Sequence, residues 1–113
     1  MTTRPTTSVS IHYHIKPGQK QEVLTKIKGI LGLCAKEPEF IMAIVHETPE
    51  RPNEFVFYEL WKGTRTEFDE IQGPKPYRKV YMGKLKKFIE KADVEWNSPI
   101  LEWGTNLTGL NQS

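Results

Sequence analysis

The sequence predicts an α+β fold: one four-stranded antiparallel sheet with helices on one face. Three observations lead there. The hydrophobic period changes from two to 3.6 and back along the chain. Two apolar strands stand either side of a short proline-containing turn, which reads as an antiparallel hairpin. The length of 113 residues suits one domain with a real but small core.

Residues 1–7 are polar and threonine-rich and are expected to be a loose tail, as is the Gly/Asn/Thr-rich segment 105–113. The domain is expected over residues 8–104. "SVSIHYHI" alternates: Val9, Ile11, Tyr13 and Ile15 point one way, and Ser8, Ser10, His12 and His14 the other. "KPG" stops this strand. From Gln19 to about Ala35, Val23, Leu24, Ile27, Ile30, Leu31 and Cys34 form one helical stripe. Pro38 ends it.

"FIMAIVHE" (Phe40 to Glu47) is a second strand, apolar on both faces. "TPERPN" is a turn, and "EFVFYELW" the third strand. Residues 64–72 can form a short helix capped by Thr64 or Thr66. "GPKP" breaks it. In "YRKVYMGKLKKFIEK", Tyr77, Val80, Tyr81, Lys84, Leu85, Phe88 and Ile89 share a helical face. Asp93 to Trp103 is expected as a last strand at a sheet edge, interrupted by Pro99. The order β-α-β-β-α-β is the ferredoxin-like pattern. Helices cover one sheet face, yet the middle strands are apolar on both. A second copy of the chain is the simplest cover, so a homodimer is expected.

Composition excludes several classes. Lys plus Arg number 16 against 14 Asp plus Glu, too even to argue for nucleic acid. Cys34 stands alone, so no internal disulfide forms. The N-terminus "MTTRPTTSVS" has no signal-peptide core, and no apolar run is long enough for a membrane span. A cytoplasmic location is expected. No glycine-rich phosphate loop of the G-x-G-x-x-G type and no Cys/His cluster is present, so neither a cofactor nor a metal is expected.

"KPGQKQEVL", "EPEF" and "ERPNEFVFYELWKG" resemble the antibiotic biosynthesis monooxygenase (ABM) family, over about Val9 to Trp103. The resemblance implies a dimeric α/β barrel. It also implies an enzyme that inserts oxygen from O2 into electron-rich aromatics such as quinols and anthrones, without metal or flavin. In such chemistry the substrate is the reductant, and the protein desolvates it, orients it and stabilises its anion. Trp61 matches the tryptophan that ends the third strand in the anthrone-oxidising branch. The chain departs from that branch at Phe57, where an asparagine is usual, and at Glu70, where many members carry histidine. The haem-degrading branch carries asparagine at the place of Ile11, tryptophan at that of Glu70 and a histidine near Val80 or Tyr81. All three are missing here.

Phe55, Phe57, Glu59 and Trp61 share one face of the third strand. Since the resemblance makes Trp61 a pocket residue, it implies that Phe57, Glu59 and Trp61 line a pocket wall, with Glu59 facing a partly wet cleft as general base. Trp61 would supply a broad wall and one N–H donor for a phenolate. His46 joins this face as base or donor if it pairs with Phe55, and leaves it after a one-residue slip. Tyr13, Glu70, Tyr77 and Tyr81 complete the expected substrate-binding set. His12 and His14 have ligand-like spacing but no third ligand nearby in sequence, and are expected at an interface or rim. Cys34 reads as inert core and the lysines of the last helix as solvated. Two other functions fit the same residues: a non-redox cyclase or isomerase of a polyketide-like ketone, and a non-catalytic dimeric ligand-binding module.

Overall fold

The computed structural model describes residues 5–104. The expected C-terminal tail, and residues 1–4 of the expected N-terminal one, lie outside the described residues. Thr6 and Thr7 do not belong to a loose segment: they open β1 (Thr6–Ile15), and Thr7 is buried. α1 (Lys20–Cys34) follows a turn at Gly18, whose φ of 78° lies where glycine has no steric penalty. Val23, Ile27, Ile30 and Cys34 are its buried stripe.

β2 (Phe40–Thr48) and β3 (Arg51–Lys62) form a hairpin closed by Pro49 and Glu50. The turn is shorter than the sequence implies, because Thr48 pairs with Arg51 and keeps Arg51–Asn53 in the strand. Gly63, at φ 100°, turns the chain from β3 into α2 (Arg65–Ile71). Thr64 caps α2 in a reciprocal capping box: its hydroxyl accepts from the Glu67 N–H at 3.1 Å, and its own N–H donates to Glu67 at 3.0 Å.

α3 (Pro76–Leu85) starts on Pro76, which suits a first turn with no N–H to satisfy. It ends earlier than its apolar spacing implies. Phe88 and Ile89 are not helical: the Phe88 carbonyl accepts from the Lys16 N–H, and Ile89 pairs with Ile15 as the start of β4 (Ile89–Asn97). The expected strand from Asp93 to Trp103 is thus displaced toward the N-terminus. Pro99 and Trp103 lie beyond it, and Trp103 is exposed.

All strand pairs are antiparallel, in the order β2-β3-β1-β4. This is the ferredoxin-like sheet, with one extra short helix in the crossover. Tyr13, Ile15, Phe55 and Phe57 pack on Val23 and Ile27 of α1 and Leu85 of α3. A second cluster joins Ile30, Cys34 and Trp61, with Phe40, Phe68, Tyr77 and Tyr81 around it. None of the described helices packs on the opposite face. On it Met42, Ile44, Val56 and Tyr58 are only half-buried. None of the described helices is long and apolar enough to cross a membrane.

Candidate functional site

The alternation of β3 turns Phe55, Phe57, Glu59 and Trp61 toward the helices. β1 sets Val9 opposite Glu59 and Ile11 opposite Phe57. Glu59 is therefore fixed in the middle of the sheet, beneath the helix layer, and only 6% exposed. An ionised carboxylate there needs partners. The indole of Trp61, itself fully enclosed, donates its Nε1–H to Glu59 Oε1 at 2.8 Å. The two residues are neighbours on one strand face, so the strand itself holds donor and acceptor in place.

Arg78 comes down from α3 onto the same group. Its guanidinium lies 5.4 Å from the Trp61 ring centre and 4.8 Å from that of Phe68. Its Nη2 donates to Cys34 Sγ at 3.4 Å, and the Tyr77 hydroxyl approaches the same sulfur at 3.8 Å. The Arg78 Nε–H is buried and has no hydrogen-bond partner. Phe68, from α2, stands edge-on between Trp61 and Trp96, with centroid distances of 5.2 and 4.9 Å.

Burial sets the ionisation of this group. It pushes the Glu59 carboxyl up from the usual range, and the Trp61 hydrogen bond and the Arg78 charge only partly offset it. Tyr13 is pushed up to about 12 by burial and then by the Glu59 charge. Tyr77 is also pushed up to about 12, by burial and then by Cys34. Burial pushes the Cys34 thiol up as well, so it is a poor nucleophile. The set thus offers one carboxyl poised to change its proton, one cation with a spare donor, and aromatic walls.

The structure gathers Phe57, Glu59, Trp61, Tyr13 and Tyr77 on the helix side of the sheet, with Tyr81 also packed on the Trp61 cluster, and separates His46 and Glu70. His46 pairs with Val56, not Phe55, so it sits exposed on the other face. Glu70 points outward from α2 and is exposed. Tyr81 packs against α1: a Cβ added at Gly29 would come within 2.6 Å of its hydroxyl. Glu59 and Trp61 are buried rather than facing an open cleft, and the Trp61 N–H is committed to Glu59. Sequence reading passed over Arg78 and Phe68. Arg78 lies beside Tyr77, but nothing in the local pattern says that its head turns inward.

The antibiotic biosynthesis monooxygenase family profile matches residues 7–70. The chain belongs to this family. Among curated proteins, none matches it. Solved structures agree on the fold. Rv0793 from Mycobacterium tuberculosis superposes with a TM-score of 0.76 at 16% identity, over 88% of this chain and 99% of that one. A conserved protein from Methanosarcina mazei Go1 gives 0.72 at 20% identity, over 83% and 92%. A structure described as an antibiotic biosynthesis monooxygenase gives 0.73 at 19% identity, over 84% and 99%. At these identities the likeness concerns the fold. The ABM profile covers β1 through most of α2, and so includes Glu59 and Trp61 but not Arg78.

Proposed function

We propose that this ABM-family protein is a cofactor-independent monooxygenase acting on an electron-rich aromatic small molecule of the quinol, anthrone or polyketide type. One observation carries the reading: a buried carboxyl, Glu59, held by an indole N–H and faced by a cation with an unused donor, inside an aromatic shell.

Glu59, in its ionised form, takes the acidic proton of the substrate. The Arg78 Nε–H and charge stabilise the resulting anion. The anion reduces O2 directly. For an anthrone, one oxygen atom replaces the two methylene hydrogens as a ketone, and the other leaves as water. Trp61 positions Glu59, and Phe57, Tyr13 and Tyr77 supply apolar walls that keep bulk water away. Tyr13 and Tyr77, both held far above neutral pH, stay protonated throughout.

Access runs through α2. No residue of α2 is buried, and Phe68 is its wedge over Trp61. An open depression of about 450 Å3 adjoins it, between Thr64, Arg65, Trp96 and Asn97. Lifting α2 connects that depression to Glu59, a short-lid motion of the kind that gates many active sites. The reading includes a homodimer joined through the open sheet faces, where Met42, Ile44, Val56 and Tyr58 await cover.

The test is oxygen uptake with a panel of hydroquinones and anthrones, comparing the parent with Glu59→Gln. Uptake that the variant loses supports the assignment. Exchange of acidic substrate protons without O2 uptake would move the same residues to a cyclase or isomerase. Neither reaction, with ligand binding retained, would leave a binding module.

A further inference from the structure

The open face of the sheet carries a second cluster that the oxygenase reading leaves unused. His12 and His14 leave β1 on that face, with rings stacked 4.3 Å apart and 20° from parallel. β4 sets Asp93 directly opposite His12, and β3 sets Glu54 opposite His14. His14 Nε2 lies 3.3 Å from Asp93 Oδ2, and His12 Nε2 lies 2.5 Å from Glu54 Oε1. One donor atom each from His12, His14 and Asp93 fall within 4.8 Å of one another. Around a zinc-sized ion with bonds of about 2.1 Å, neighbouring donors stand roughly 3–4 Å apart. Small side-chain rotations close the difference, and all three side chains are partly exposed and free to make them.

We propose that His12, His14 and Asp93 form a binding site for a divalent transition-metal ion, with Glu54 orienting the His12 ring. Two imidazoles and one carboxylate favour zinc, cobalt or nickel over calcium or magnesium, which take oxygen donors. A carboxylate against a ligand imidazole fixes its orientation and raises its basicity, and Glu54 stands in that relation to His12. Three protein ligands leave coordination positions for water. A shallow depression of about 240 Å3 adjoins, lined in part by Ser10, His12, Asp93 and Glu95. Two cations compete with the ion: Arg51 Nε is 3.3 Å from Glu54 and Lys91 Nζ is 3.7 Å from Asp93. Both side chains are more than half exposed and can swing into solvent.

Spacing along the chain hides this set. His12 and His14 have no third ligand near them in sequence, but the sheet brings one from 79 residues beyond His14. β4 is an edge strand, so Asp93 sits at the rim of the open face, while His12 and His14 stand one strand in, with Val56 beside His12. It lies across the sheet from Glu59 and does not depend on the proposed reaction.

The test uses the whole chain, stripped with chelator and titrated with cobalt(II), then zinc. One cobalt ion per chain, with visible d–d absorption that zinc abolishes, is expected. His12→Ala and His14→Ala should each weaken binding at least about tenfold, as losses at a metal site commonly do. His46→Ala, away from the cluster on β2, should leave it unchanged. Cobalt should also broaden the imidazole NMR resonances of His12 and His14 in the parent protein far more than those of His46, which stands two strands away. Absence of a d–d band, a band that survives both histidine substitutions, or broadening centred on His46 would each overturn the site.

Discussion

Replacing Glu59 with glutamine tests the heart of the candidate site without asking for a substrate. Glutamine keeps an oxygen to accept the Trp61 N–H and cannot ionise. Burial raises the carboxyl's pKa in the folded chain above its unfolded value near 4.5. For a group raised in this way, its contribution to stability is complete below 4.5. It is lost as pH climbs toward the folded value, because the unfolded chain ionises first. Glu59→Gln has no such loss. The two proteins should therefore melt at similar temperatures near pH 4. Above about pH 5 the parent should fall behind by up to about 1.4 kcal/mol for each pH unit, the limiting slope for a single proton, until the folded carboxyl itself ionises and the gap levels off. For a domain of this size that is up to about 7 °C per unit. Glu54, held low by its hydrogen bond with His12, titrates in both proteins and cancels from the difference. The assay is thermal unfolding by circular dichroism at half-unit steps from pH 4 to 8. Parallel curves for the two proteins would refute the reasoning, since they would mean that Glu59 meets solvent in both states.

Further expectations concern other parts of the molecule. Trp61→Phe removes the buried donor and leaves a small cavity. The combined cost should be about 2–4 kcal/mol, read by urea denaturation, and oxygen uptake should fall with it. Thr64→Ala should cost about 1 kcal/mol, or about 5 °C in melting temperature, through loss of the α2 cap. Arg78→Leu should keep the fold but weaken binding of phenolic ligands relative to neutral aromatic ones, measured by calorimetry. Light scattering at low micromolar concentration should show a homodimer, and a folded species of 13.1 kDa would remove that part of the reading.

What could be read in advance follows the range of the forces involved. The period-two pattern of β3 already puts Phe55, Phe57, Glu59 and Trp61 on one face, because adjacent pleats set that geometry locally. The bond from Trp61 to Glu59 spans two residues and is implicit in the same pattern. His46 depended on hairpin register. The irregularities beside Phe40 and Thr48 decide that register, and no local spacing announces them. Phe88 and Ile89 fit a helical stripe as well as a strand start. The tie from Lys16 to the Phe88 carbonyl chose the strand, and it comes from 72 positions away along the chain. Arg78 and Asp93 reach their neighbours only through tertiary packing and sheet order, so single-segment patterns carry no trace of either role.

The pairing of Glu59 with Trp61 along one strand also bears on how the chain finds its sheet. β3 is central, with β1 on one side and β2 on the other. A slip of one residue would turn three aromatic rings and a carboxyl outward and draw Glu54, Val56, Tyr58 and Leu60 under the helices. Glu54 in that position would have no indole two residues on to receive it, since residue 56 is valine. The polar pair thus works as a key that fits one alignment: a slipped sheet would bury Glu54 under the helices without that partner.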